Sequence, residues 1–248
     1  MRPLPRITVA PNGARLQKTD HAALPMTARE LAETARSCQA AGASCIHLHV
    51  RDADGAHSLN ADLYRDAISA VSRAAPGMQI QVTTESAGRY DVPEQLHLLQ
   101  NLKPKAASIS VREIARAPDL APQVYATAQQ HGTQVQHILY GASCLDQLVA
   151  WFASGVVPSA MRDAILVLGQ YAPQRAGNPD DLNAVLTPAK KAGLRVTVCA
   201  FGPHEQACLI AAADRGCDLR VGFENNILAP DGSIWADNAQ SVATLYSA

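Results

Sequence analysis

His47 and His49 stand one residue apart in the run Ser44-Cys45-Ile46-His47-Leu48-His49-Val50-Arg51-Asp52. On a β-strand, alternate side chains point to opposite faces. Ile46, Leu48 and Val50 then face one side, suited to packing against helices, and both imidazoles face the other. Two imidazoles spaced in this way can grip one metal ion. Far along the chain, Arg220-Val221-Gly222-Phe223-Glu224-Asn225-Asn226 repeats the pattern, with Val221 and Phe223 on the apolar face and Arg220, Gly222 and Glu224 opposite. A carboxylate from Glu224 would complete a two-histidine, one-glutamate set and leave a coordination position open, as catalytic zinc sites do. Two imidazoles and a carboxylate favour zinc, one ion per chain. The competing readings are a pair of satisfied core histidines and a plain salt bridge between Glu224 and Arg220.

Other candidate strands also carry polar residues. Thr83 and Glu85 share parity with Gln81, Ser108 shares parity with Ser110, and His137 lies near the end of a fifth strand. A polar interior layer is costly unless it meets ligand, metal or water, so these residues predict a polar pocket with substrate contacts at Thr83, Ser108, Ser110 and His137. Asn12 and Gly13, in the turn Pro11-Asn12-Gly13, are expected to line it as well.

The elements that must position these side chains alternate regularly. Candidate strands are Ile7–Ala10, Ser44–Val50, Gln79–Thr84, Ala106–Val111, Thr133–Leu139, Ala164–Leu168, Leu194–Ala200 and Asp218–Phe223. Helical stretches follow them near Ala28–Ala41, Ala61–Ala74, Pro93–Gln100, Ala121–His131, Cys144–Ala153, Asp180–Ala192, Glu205–Arg215 and Asn238–Tyr246. Strict βα alternation requires crossovers and a parallel sheet. Eight units in 248 residues predict an α/β fold of the single-domain (β/α)₈ TIM-barrel type over residues 1–248, with an open doubly wound sheet as the alternative. Thr27 and Glu30 are spaced as a capping box for the first helix. In such a barrel the active site lies at the carboxyl ends of the strands, and the eighth strand neighbours the first, so Glu224 can reach the two histidines.

Hydrophobic residues make up 48% of the chain, enough for a large core, while charged residues make up 17% and the net charge is -1. That balance argues against a nucleic-acid partner and favours small charged or polar metabolites. No apolar run is long enough for a membrane span. The segment Met1 to Arg6 has no apolar signal core, which predicts a cytoplasmic protein. The six cysteines are scattered and unpaired in pattern, as reduced core fillers would be.

Three segments together resemble the β-keto acid cleavage enzymes, the family of the 3-keto-5-aminohexanoate cleavage enzyme. They are Ile7-Thr8-Val9-Ala10-Pro11-Asn12-Gly13, the run Gly42 to Asp52 with Asp54-Gly55, and Arg220-Val221-Gly222-Phe223-Glu224-Asn225-Asn226. The resemblance implies a zinc-binding barrel, a homotetramer, and exchange of a β-keto acid with acetyl-CoA to give acetoacetate and a new acyl-CoA. It implies that His47, His49 and Glu224 hold zinc, that Thr83 and Ser108 grip the substrate carboxylate, and that Arg220 belongs to the acid/base network. A zinc ion would act as a Lewis acid on the ketone and meet charge developing on its oxygen. The sequence departs from the prototype at Asn225, where an aspartate is expected, and at Arg15, where a glutamate is expected. Glu85 is the substitute base. His137 stands where the prototype reads an ammonium group, which predicts a substrate whose distal end is neutral or anionic. The segment Phe201-Gly202-Pro203-His204 is expected at the CoA entrance, and Arg51 and Asp52 as a loop-anchoring pair.

Alternatives from other classes are a metal-dependent aldolase or an amidohydrolase-type hydrolase acting without CoA, and a non-catalytic barrel that binds a metabolite. Against the hydrolase, the paired histidines sit on the second strand and the sixth strand is wholly apolar.

Overall fold

Short β-branched runs become eight parallel strands that close on themselves. In the computed structural model, which describes residues 4–171 and 173–247, these are β1 (Ile7–Val9), β2 (Cys45–Leu48), β3 (Gln79–Thr83), β4 (Ala106–Ser110), β5 (Gln134–Leu139), β6 (Asp163–Leu168), β7 (Arg195–Ala200) and β8 (Asp218–Val221). Neighbours follow chain order, and β8 pairs back onto β1 with Thr8 opposite Arg220 and Val9 opposite Val221. The protein is therefore a closed (β/α)₈ barrel and not an open sheet. Residues 1–3, part of the amino-terminal segment read above, lie outside the described residues.

The crossover helices are α1 (Ala28–Ala40), α2 (Ala61–Ala74), α3 (Val92–Leu102), α4 (Ala121–Gln130), α5 (Ala142–Ala153), α6 (Leu182–Lys191), α7 (Glu205–Asp214) and α8 (Asn238–Tyr246). Thr27 and Glu30 form the expected reciprocal capping box on α1. The main core lies between barrel and helices. Val9, Ile46, Leu48, Ile109 and Val221 of the strands pack with Leu31, Val71, Leu99, Val124 and Leu148 of the helices, all fully or almost fully buried. All six cysteines are free and buried. Among the described residues no helix is long and apolar enough to cross a membrane.

The inside of the barrel is layered. At the amino-terminal end Gln79 donates to Gln134, Gln134 donates to Asp163, and Arg195 donates to Asp163. One layer up, Gln81 donates to Gln136, which donates to Thr197. The residues above them face the site.

Three strands end in turns that redirect the chain sooner than their sequence patterns suggest. After β2, Val50–Arg51 leaves the barrel and pairs antiparallel with His57–Ser58. The Asp52 carboxylate holds the connecting turn by accepting the N–H groups of Asp54 and Ala56. After β4 the chain turns at once into a short helix, Val111–Ile114. After β8 it breaks at Gly222, whose φ of 138° and close approach to the Ala10 carbonyl leave no room for a Cβ. Phe223 consequently packs with Leu24 and Trp235 over the top of the barrel and not on the outer face of the strand.

Candidate active site

The end of β2 and the break after β8 bring three donor atoms together. His47 Nε2 and His49 Nε2 are 3.1 Å apart. Glu224 Oε2 lies 3.6 Å from the first and 3.4 Å from the second. All three residues are buried. Gly13 makes room for the carboxylate, since a Cβ there would fall 2.6 Å from Glu224 Cγ. His47 Nδ1 lies 2.8 Å from Gln81 Oε1, an oxygen that only accepts, so the ring carries its proton on Nδ1 and turns the Nε2 lone pair inward. Burial lowers the His47 pKa to about 3, against the pull of Glu224, and keeps the ring neutral.

Two imidazole nitrogens facing each other at this distance, beside a carboxylate oxygen too far for an ordinary hydrogen bond, suit a shared cation. Donors about 2.0–2.1 Å from a tetrahedral ion stand about 3.3–3.4 Å from one another, which matches the observed separations. These are the three described residues whose ligand atoms converge closely enough to hold a metal.

Glu224 also makes the salt bridge considered as its competing role. Its Oε1 accepts from Arg220 Nη2 at 3.1 Å while Oε2 faces the histidines. Burial alone would raise the Glu224 pKa. Arg220, His47 and His49 outweigh it and hold the carboxylate below its usual range. Arg220 is itself buried, and its Nε and Nη1 have no hydrogen-bond partner among the described residues. Its guanidinium faces a cavity of about 100 Å³ whose wall includes His47, Thr83, Glu85, Arg112, Tyr140, Tyr171 and Glu224. Glu85 lies 3.9 Å from His49 and 3.9 Å from Arg15, and burial, together with the charge of Glu224, raises its pKa. Thr83 Oγ1 accepts the Glu85 N–H, which leaves the Thr83 hydroxyl proton free to donate into the cavity.

The remaining expected contacts divide. Ser108 and Ser110 are buried with hydroxyls that have no partner among the described residues, on the parity of β4 that faces the barrel interior, but neither forms part of the cavity wall. Asn12 is not in the wall either: its amide donates to the carbonyls of Pro25 and His49 and so fastens the end of β2. His137 is the clear correction. It points out of the barrel, with its ring between Tyr125 of α4 and Phe152 of α5 and Nε2 hydrogen-bonded to the Met161 carbonyl. The inward positions of β5 are Gln136 and Ile138, so His137 is a core histidine on the outer face of the strand and faces away from the cavity.

Arg51 anchors the loop after β1, donating to the carbonyls of Asn12, Gly13, Ala14, Leu16 and Gly55. Asp52 is not its partner; it pairs with Arg89 and holds the hairpin turn. Asn225 is buried, and neither of its side-chain polar atoms has a partner among the described residues. It borders a second cavity of about 270 Å³, walled largely by carbon from Leu16, Phe201, Pro203, Ile227 and Leu228. The second cavity shares Gln170, Tyr171, Phe201 and Glu224 with the first.

Sequence reasoning missed Tyr171, Tyr140, Arg112 and His57. Tyr171 donates to the Glu224 carbonyl, and Arg15 lies over its ring, 5.1 Å from the centroid. His57, brought back by the hairpin, stacks 5.0 Å from His49 and contacts the Glu85 carbonyl. Tyr140 and Tyr171 sit in loops, His57 in the returning strand of the hairpin and Arg112 in the short helix after β4, and no periodicity encodes the course of these segments.

A closed (β/α)₈ barrel with two histidines and a glutamate converging at its carboxyl end, beside an arginine whose Nε and Nη1 are unspent, is a barrel site suited to metal-assisted chemistry. A model of the beta-keto acid cleavage enzyme family matches residues 6–248, and the chain belongs to that family. It is 27% identical over 252 residues to a 3-keto-5-aminohexanoate cleavage enzyme of Fusobacterium nucleatum, covering 95% of this chain and 88% of that protein. It is 28% identical over 162 residues to a 3-oxoadipate:acetyl-CoA acetyltransferase of Cupriavidus necator, covering 62% and 56%. Among solved structures, apo ObcA superposes with a TM-score of 0.70 at 16% identity, covering 90% of this chain, which spans 61% of ObcA. The 3-dehydroquinate dehydratase of Aquifex aeolicus VF5 gives 0.59 at 11% identity, covering 98% and 96%. Both likenesses are of fold.

Proposed function

We propose that the protein condenses a β-keto acid with acetyl-CoA, giving acetoacetate and a new acyl-CoA, with one zinc ion held by His47, His49 and Glu224. The observation that carries this reading is the convergence of these three buried donor atoms within a chain of the β-keto acid cleavage family. When bound, the ion supplies Lewis-acid polarisation of substrate oxygens.

The protein's own side chains supply the rest. Arg220 offers two unpartnered nitrogens, Nε and Nη1, as donors to an anionic oxygen inside a buried site, where such a donor acts most strongly. Glu85, with a raised pKa, is suited to take and return the proton lost from the carbon between the two carbonyls. That role answers the loss of a carboxylate at Asn225. Thr83 donates to the substrate carboxylate, and Ser108 and Ser110 lie behind it with hydroxyls still to be satisfied. The carbon-walled second cavity, bordered by Phe201, Gly202 and Pro203, suits the thioester arm of acetyl-CoA and opens onto the same glutamate. We place the enzyme in the cytoplasm as a homo-oligomer, a tetramer by its family. Its unpaired thiols suit a reducing compartment.

The test is incubation of zinc-loaded protein with acetyl-CoA and a panel of β-keto acids, with acetoacetate measured. Acetoacetate that depends on both substrates, and is lost in a folded His47→Ala variant, is the expected result. Cleavage or hydrolysis that proceeds equally without acetyl-CoA overturns the proposal in favour of an aldolase or a hydrolase.

A further inference from the structure

Arg112 belongs to the short helix that follows β4, and Tyr140 directly follows β5. Both are in the wall of the first cavity, across the barrel mouth from the cluster on β2 and β8. The Arg112 guanidinium carbon lies 3.4 Å from the centre of the Tyr140 ring. Stacking holds the guanidinium plane by its face and leaves its edge, with five N–H donors, unspent. Among the described residues no carboxylate lies within ion-pair distance of Arg112. Its neighbour Glu113 is turned away and accepts from Ser86 and Gln95.

The charges of the cavity wall are therefore unbalanced. Arg15, Arg112 and Arg220 face Glu85 and Glu224, three cations against two anions before any metal ion is counted. Arg220 is committed to Glu224, and Arg15 lies near Glu85 and over Tyr171. Arg112 alone of the three has a free planar fork and no acid beside it. A fixed fork matches the two oxygens of a carboxylate in one plane.

Resting on the proposed reaction, we infer that Arg112, stacked on Tyr140, is a specificity residue that receives a second carboxylate at the distal end of the substrate, so that the preferred substrates are β-keto dicarboxylates. The expectation of a neutral or anionic distal end thereby narrows to the anionic case, on a residue other than His137.

The experiment compares 3-oxohexanedioate with 3-oxohexanoate, acids of equal length that differ in one terminal carboxylate. Wild-type, Arg112→Leu and Arg112→Lys proteins are tested in their zinc-loaded form. Acetoacetate formation gives kcat/KM for each acid and KM for acetyl-CoA, and calorimetry without acetyl-CoA gives the affinity for each acid. A lost charge-assisted pair predicts that Arg112→Leu lowers the preference for the dicarboxylate about 10- to 100-fold, with part of it restored by Arg112→Lys. The inference is overturned if Arg112→Leu leaves that preference unmoved, or if it raises KM for acetyl-CoA and not for the dicarboxylate, which would assign the arginine to a CoA phosphate. Should neither acid yield acetoacetate while dicarboxylate binding still depends on Arg112, the proposed reaction fails and the inference stands. Should both acids react equally well in all three proteins, the reaction stands and the inference fails.

Discussion

Replacing Gln81 with leucine removes a residue that never touches the proposed metal yet decides which way His47 presents its lone pair. Gln81 Oε1 accepts from His47 Nδ1 at 2.8 Å, and its Nε2 donates to Gln136, which donates to Thr197 at 3.0 Å. The three residues form a strut across the barrel interior. Leucine has a similar volume but leaves the His47 N–H and the Gln136 carbonyl oxygen without partners, at about 1–3 kcal/mol each if neither finds another. With its N–H unsatisfied, the ring is free to tilt or to exchange tautomers. Removing an outer-shell partner of this type weakens metal binding about 10- to 100-fold, equivalent to about 1.4–2.7 kcal/mol. Zinc affinity is read by competition with a chromophoric chelator, alongside thermal unfolding of the metal-free protein to separate stability from affinity. Gln81→Glu keeps an acceptor opposite Nδ1 and is expected to bind zinc at least as tightly as the wild type. Equal affinity in the wild type and Gln81→Leu, or equal weakening in Gln81→Leu and Gln81→Glu, would refute the reasoning.

Three further outcomes follow from burial and packing. His47, His57 and His137 have pKa values lowered by burial from 6.5 to about 3, 3 and 4, so between those values the unfolded chain binds more protons than the folded one. Stability of metal-free protein is therefore full above about pH 6.5 and lost as pH falls, by on the order of 1–2 kcal/mol per histidine at about pH 5; an unfolding temperature that is flat over this range would contradict it. Gly13→Ala forces a Cβ into a φ of 59° and against Glu224, and is expected to cost about 1–3 kcal/mol of stability and to weaken zinc binding, checked by denaturant unfolding and chelator competition. His137→Leu loses the bond to the Met161 carbonyl and is expected to cost about 1–2 kcal/mol of stability, with KM for the β-keto acid within about twofold of wild type; a large KM change would return His137 to the site.

The barrel was legible because strand and helix periods alternate cleanly, and every expected strand and helix is present within a few residues. The convergence of His47, His49 and Glu224 was legible because parity and strand order suffice to place residues at the ends of adjacent or near-adjacent strands. Parity also placed Thr83 correctly. The same rule puts His137 on the outer face, because the inward residue next to it is the apolar Ile138, and nearness to a strand end does not by itself place a side chain in the site. The hairpin that returns His57, the turn that presents Arg112 and the loop that carries Tyr171 are set by side-chain hydrogen bonds and stacking between segments distant in sequence, and no local pattern records them.

The pairing of β8 with β1 has a consequence for the order in which the molecule is made. Two of the three converging donors are synthesised well before the third, and only closure of the ring carries Glu224 across to them. Contacts so remote in sequence are slow to form, because the intervening chain must first be gathered in. A growing or partly unfolded chain thus offers at most a two-histidine grip, and full-strength metal uptake would report that the last strand has found the first.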